Sequence, residues 1–125
     1  MFSTLLQVAL GGAIGASARY LTGVAAVRIM GHGFPWATLA VNVAGSFLMG
    51  VLVVVLAHIG GTRAAPFLMT GILGGFTTFS AFSLEAVTLY ERGEPGAALL
   101  YVVLSVVFSL LGLVLGLMMA RGIFA

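Results

Sequence analysis

The sequence predicts an all-α membrane protein with four transmembrane helices in a single domain, residues 1–125. Of its 125 residues, 62% are hydrophobic and only 6% are charged, whereas about a quarter of a typical soluble domain is charged. The apolar residues form four segments, at about 2–27, 35–59, 66–90 and 96–121. A helix of about 25 residues measures about 38 Å, enough to cross a hydrocarbon core of about 30 Å with some tilt.

The composition also excludes several classes of protein. Cysteine is absent, so disulfides, cysteine-type zinc sites and thiol catalysis are excluded. The net charge of +2 comes from five scattered arginines against three acidic residues, and without a basic run we expect no nucleic-acid partner. No nucleotide-binding loop, catalytic triad or paired-carboxylate site is present, so we expect no enzymatic activity.

The first segment carries a face of small residues. Gly11, Gly12 and Gly15 recur at helical spacing, and small residues let two helix backbones approach closely in a membrane. We therefore expect this helix to pack tightly against another.

The second segment begins after a glycine-rich loop, at Pro35, a residue favoured at the first helical position. Thr38, Asn42 and Ser46 follow one turn apart, so they share one helix face. Two interpretations stay open for this polar face. The side chains either form hydrogen bonds between helices or donate hydrogen bonds into an ion pathway.

The third segment contains a poor helix former where a helix is required. Gly74 and Gly75 destabilise a helix interior, and the β-branched residues Thr77 and Thr78 follow. The sequence therefore predicts a break in this helix at mid-membrane. Unpaired peptide groups in lipid cost several kcal/mol each, so a break at that depth indicates a functional site.

Two aromatic rings and a hydroxyl come directly after the predicted break. Phe79 and Phe82 are three residues apart and share a helix face, with Ser80 beside them. The edge of a phenyl ring carries partial positive charge. Rings presented edge-on would therefore favour an anion.

The fourth segment has a polar row of its own. Tyr101, Ser105 and Ser109 are spaced four residues apart on one face. A membrane serine often bonds to the carbonyl four residues earlier in its own helix, so a structural interpretation and a pathway interpretation both stay open. Gly112 and Gly116 predict a second close helix contact.

The arginines show almost no bias between the two sides of the membrane. Four spans place Arg63 and Arg121 on one side and Arg28 and Arg92 on the other, which leaves the positive-inside rule undecided. Such a chain is able to insert both ways and pair as an antiparallel homodimer. Thr78 is the midpoint of the third segment, so two broken helices would cross there and turn freed carbonyls toward a cation.

Arg19 and Glu85 are the two charged residues within predicted spans. Each lies within about two turns of a segment end, so each side chain could extend to the membrane interface. The alternatives are a role in an aqueous vestibule or an ion pair between the two.

These motifs together resemble the small fluoride channel family called Fluc or CrcB, over essentially the whole chain. The resemblance rests on Gly74-Gly-Phe-Thr-Thr-Phe-Ser-Ala-Phe-Ser83, on Val41-Asn-Val-Ala-Gly45 and on Gly15-Ala-Ser-Ala-Arg19. It implies a dual-topology, antiparallel homodimer in the lipid of the inner (plasma) membrane, with two fluoride pores. It also implies a structural sodium ion held at the dimer axis by the backbone carbonyls of Gly74 and Thr77.

The resemblance assigns further roles residue by residue. It makes Arg19 and Glu85 vestibule charges, and it implies a fluoride pore lined by Asn42, Phe79, Phe82, Ser80, Thr38, Tyr101, Ser105 and Ser109. The sequence departs from the family pattern at Phe76, where leucine is common, and at Ala81, where a hydroxyl residue is common. The second departure removes one possible pore hydroxyl.

The predicted activity is passive export of fluoride. No energy-coupling motif is present, and an inside-negative potential drives an anion outward by about 2.3 kcal/mol per 100 mV. The main alternative is a proton-coupled exporter of the small multidrug-resistance type, which carries a membrane-embedded carboxylate on its first helix. The first segment here has no acidic residue. A structural subunit of a larger complex is a third interpretation.

Overall fold

The computed structural model describes residues 1–124, and helices are its only regular elements over that range. The long helices are α1 (Phe2–Met30), α2 (Trp36–Ile59) and α5 (Pro95–Phe124). They begin and end within about three residues of the predicted first, second and fourth segments. Pro35 immediately precedes α2 as its N-terminal cap.

The third segment, Thr62–Glu91, is composite. It begins with a short 3₁₀ turn and continues as a π-helix, Pro66–Leu73, and a single α-turn, α3 (Gly74–Phe76). Helix α4 (Ser80–Glu91) completes it. The π-helix is not predictable from the sequence, because nearly all of its eight residues are apolar and their pattern does not distinguish α from π geometry.

Between α3 and α4 the backbone leaves helical geometry. Thr77 is extended, with φ of −85° and ψ of 158°, and helical hydrogen bonding resumes in α4. The interruption, Thr77–Phe79, lies directly after the short turn α3, which contains Gly74 and Gly75. Its peptide groups must therefore find partners outside the helix ladder.

The glycine face of α1 packs against the π-helix and α3, as predicted. Gly11 and Gly15 are buried there, and a Cβ atom at Gly11 would lie 2.9 Å from the Cα of Gly71. On the other side of the molecule, α2 packs against α5. A Cβ at Gly112 would lie 3.2 Å from the carbonyl oxygen of Val43 in α2, so the second predicted close contact is confirmed.

Within residues 1–124, three segments are long and apolar enough to cross a membrane: α2, Thr62–Glu91 and α5. Helix α1 has 29 residues and is long enough, but Gln7, Arg19 and Arg28 together with its small residues make it less apolar. Membrane crossing by α1 therefore stays a prediction.

Candidate functional site

The interruption is held by the side chain of Asn42 on α2. Asn42 Nδ2 donates to the carbonyl oxygen of Thr78 at 2.9 Å, and Asn42 Oδ1 accepts from the backbone N–H of Thr78 at 2.8 Å. A single side-chain amide thus bonds both the N–H and the carbonyl of Thr78, which lie outside the helical hydrogen-bond pattern. Two interpretations were left open for the polar face of α2. For Asn42 the structure shows the first of them, hydrogen bonds between one segment and another.

The hydroxyl of Thr78 also stabilises the N-terminus of α4. Its Oγ1 accepts from the backbone N–H of Ala81 at 3.2 Å and lies 3.4 Å from Ser80 Oγ. A hydroxyl in this position satisfies one of the free N–H groups at a helix N-terminus. The sequence places Thr78 in the predicted break but gives no sign of this role.

A cavity of about 410 Å³, the Asn42 cavity, lies beside the interruption. Five of the predicted pore residues line it, namely Asn42, Phe79, Phe82, Ser105 and Ser109. Its remaining polar side chains are those of Ser46, Thr77 and Thr78, and its wall carries no charged side chain. The cavity therefore offers amide and hydroxyl groups and two phenyl rings, without a fixed full charge.

Ser105 is the most informative residue of this cavity. Its side chain is only 5% exposed, and among the described residues its Oγ has no hydrogen-bond partner. The bond to the carbonyl four residues earlier, which the sequence left open, is absent in this part of the chain. A buried hydroxyl without a partner is costly, and the residue that carries this one lines the cavity.

A second cavity of about 720 Å³, the Arg19 cavity, lies next to the first. Thr78 lines both cavities. The wall of the Arg19 cavity includes Glu85 and Thr38, so Thr38 faces a different cavity from Asn42, although the two are one turn apart. Its other charged residues are Arg28 and Arg92.

Arg19 and Glu85 do not pair with each other in the described part of the chain. Arg19 Nε donates to the carbonyl oxygen of Gly75 at 3.2 Å, and Glu85 Oε1 accepts from the hydroxyl of Tyr101 at 3.3 Å. The alternative of a mutual ion pair is therefore wrong. Arg19 stabilises the backbone just before the interruption.

Tyr101 is fully buried and contacts residues from the walls of both cavities. Besides Glu85 it packs against Phe82, with ring centroids 5.2 Å apart. The Phe82 ring meets that of Phe79 at 5.5 Å in an edge-to-face arrangement. Tyr101 thus packs against residues of both cavity walls on the side that faces the protein interior.

Two of the predicted pore residues, Ser80 and Tyr101, line neither cavity. Tyr101 is fully buried, whereas Ser80 is exposed at the start of α4. Phe79 is 78% exposed although it lines the Asn42 cavity. The cavity is therefore open toward the surface of the chain on this side.

The carbonyl of Gly74 loses its usual helical partner at the interruption. The N–H that would bond to Gly74 O in a continuous helix is that of Thr78, which donates to Asn42 instead. The Thr77 hydroxyl donates to the carbonyl oxygen of Leu73 at 2.9 Å, a bond within the same segment. Residues 1–124 contain no cluster of three His, Cys, Asp or Glu side chains for a transition metal.

The chain is similar to proteins of one family over nearly its whole length. The family of CrcB-like proteins, described as Camphor Resistance (CrcB), matches residues 6–117. A protein of Cereibacter sphaeroides named fluoride-specific ion channel FluC is 70% identical over 122 residues, covering 98% of each chain. Proteins of the same name from a Ruegeria species and from Paracoccus denitrificans are 61% and 57% identical, over 98% and 100% of each chain.

Proposed function

The chain belongs to the CrcB-like family, whose members are ion channels and not enzymes, and from that premise we propose that it is a passive fluoride channel. As a family member with helices that are long and apolar enough to cross a membrane, it is a multi-pass membrane protein. The proposed direction of flow is out of the cell, down the electrical gradient of an inside-negative membrane.

The observation that supports this function best is the wall of the Asn42 cavity. Fluoride is small and strongly hydrated, so a pore must replace its water with hydrogen-bond donors and yet release the ion. The partnerless hydroxyl of Ser105 is one possible donor, and the rings of Phe79 and Phe82 line the same wall, where a ring edge would present weak positive charge. A fixed positive charge, which would hold the anion too tightly, is absent from this wall.

The pathway that we propose joins the two cavities at Thr78. Arg19, Arg28 and Arg92 make the Arg19 cavity attractive to anions. An ion would pass from there along the interruption into the Asn42 cavity. The hydrogen bond between Tyr101 and Glu85 would stabilise the walls of the passage from one cavity to the other.

We further propose that two chains pair in antiparallel orientation and form two such pores. The arginines are almost equally divided between the two ends of the helices, which permits insertion in both directions. Phe79 and Gly74 are exposed next to the interruption, so an apolar ring and a backbone carbonyl are available to a second copy there. A sodium ion between the two interruptions would be held by Gly74 and Thr77 carbonyls and would be structural.

Fluoride efflux from liposomes tests the channel function. Liposomes that contain only this protein are expected to release fluoride when the membrane potential is shunted, and to release chloride far more slowly. The rate should not depend on a proton gradient. Efflux that requires a proton gradient would support the multidrug-resistance type of exporter, and an inert purified protein would contradict channel function altogether.

The sodium ion is tested by dimer stability as well as by flux. Exchanging sodium for N-methyl-D-glucamine during purification is expected to lower both the dimer fraction, measured by cross-linking in detergent, and the fluoride flux. Thr77→Ser should retain both, because the backbone oxygen is unchanged by the substitution. A dimer fraction that is the same in the two cations would argue against a sodium-dependent interface.

A further inference from the structure

We propose that Phe34, in the loop between α1 and α2, is a positioning residue that orients Tyr101 and Phe82 and thereby sets the rate of ion passage. The inference rests on the proposed channel function. Phe34 is not on a helix; it lies on the wall of the Arg19 cavity but not on the wall of the Asn42 cavity, where the two phenyl rings are. It would act through the rings that it contacts.

A row of aromatic rings connects this loop to the interruption. The rings of Phe34 and Tyr101 are nearly perpendicular, at 87°, with centroids 5.4 Å apart. Tyr101 contacts Phe82 at 5.2 Å, and Phe82 contacts Phe79 at 5.5 Å. Edge-to-face contacts depend on the angle between the rings. A change in the first ring is therefore passed to the two phenyl groups of the Asn42 cavity.

The hydrogen bond that Tyr101 donates to Glu85 is long. Its hydroxyl lies 3.3 Å from Glu85 Oε1, which is longer than the usual O–H···O distance of about 2.7–2.8 Å. A bond of this length does not orient the ring by itself. The rings of Phe34 and Phe82 lie against Tyr101 at angles of 87° and 49° and restrict its rotation.

The loop that carries Phe34 is itself fixed at two points. Arg92 Nη2, from the loop between α4 and α5, donates to the carbonyl oxygen of Gly33 at 3.3 Å. The same nitrogen pairs with Glu94 at 2.9 Å. Phe34 is partly buried, and its ring also packs against Trp36 at 4.7 Å. The loop therefore holds Phe34 in place rather than leaving it to move freely.

The first test compares two substitutions at the same position by single-channel recording of fluoride current in planar bilayers. Phe34→Leu keeps an apolar side chain but removes the ring, and we expect the unitary current to fall about two- to tenfold. Phe34→Tyr keeps the ring and should retain the current. Phe2→Leu, a matched change at a residue that is 74% exposed near the N-terminus, should leave it unchanged.

The unitary current separates positioning from folding. A merely structural loss would lower the number of conducting molecules without changing the current through each one. A wild-type unitary current in Phe34→Leu would therefore overturn the inference while leaving the channel function intact. A wild-type protein that passes no fluoride would contradict the proposed function and this inference with it.

Arg92→Lys provides a second variant in case Phe34→Leu does not reach the membrane. Lysine keeps the positive charge at the mouth of the Arg19 cavity, but its ammonium group does not reproduce the geometry of the guanidinium. We expect a smaller fall in unitary current than for Phe34→Leu. The substitution weakens the bond that holds the loop at Gly33, but it leaves all four aromatic rings in place. An unchanged current in Arg92→Lys, with Phe34→Leu not recovered, would overturn the inference.

Discussion

Asn42→Ala is expected to reduce fluoride efflux at least tenfold, the largest loss expected from any change in the Asn42 cavity. The substitution removes both partners of the Thr78 peptide groups. Leaving a donor or an acceptor unsatisfied costs about 1–3 kcal/mol each, so the interruption would lose about 2–6 kcal/mol of local stabilisation. Thr77, Thr78 and Phe79 would then no longer hold their positions on the cavity wall.

Flux from liposomes, normalised to the protein recovered, is the measurement. Ser46→Ala is the matched control, because Ser46 lies one turn further along the same face and lines the same cavity. Its removal leaves both Thr78 bonds in place, so most of the flux should remain. Full flux in Asn42→Ala with normal membrane insertion would show that the interruption does not depend on this amide.

Hydrogen exchange distinguishes a supporting role of Asn42 from direct contact with the ion. If the amide stabilises the interruption, the N–H of Thr78 should exchange faster in Asn42→Ala than in the wild type, because its acceptor is gone. A lost pore donor alone would leave that exchange rate unchanged. Asn42→Ser should resemble Asn42→Ala, since a serine side chain is too short to reach both Thr78 groups.

Gly75→Val is expected to prevent folding of the chain. A Cβ atom at Gly75 would lie 2.7 Å from the carbonyl oxygen of Gly12 and 3.1 Å from the backbone nitrogen of Ala16. Both atoms belong to the backbone of α1, which cannot yield as a flexible side chain would. Overpacking of this kind costs about 1–3 kcal/mol or more, and the two added methyl groups of valine increase the clash.

Circular dichroism melts in detergent and the yield of folded protein measure this effect. Gly122→Val is the control, because a Cβ at Gly122 in the last turns of α5 meets no atom within 4 Å in the described part of the chain. An unaltered melting temperature for Gly75→Val would mean that α1 and α3 are not in close contact. The backbone nearest to Gly75 is that of α1 in the same chain.

The general architecture follows from patterns within single helices. Apolar segments long enough for a bilayer predicted the helices, and glycines at helical spacing predicted that α1 and α5 would make close contacts. These features depend on composition and period, which are local properties of the sequence. Five of the residues to which the resemblance assigned a pore role line one cavity, namely Asn42, Phe79, Phe82, Ser105 and Ser109; their role in a pore stays a prediction.

Which atoms meet across the helices was decided by tertiary structure alone. Helical spacing placed Thr38 with Asn42, yet the two face different cavities, because neighbouring helices cover only part of that face. The sequence identified Asn42 as a polar residue in a membrane helix but not as the partner of Thr78, which is 36 residues away. Local pattern likewise contains no sign that Arg19 bonds to Gly75 or that Phe34 packs against Tyr101. Such contacts depend on the packing of whole helices, and periodicity within one helix does not specify that packing.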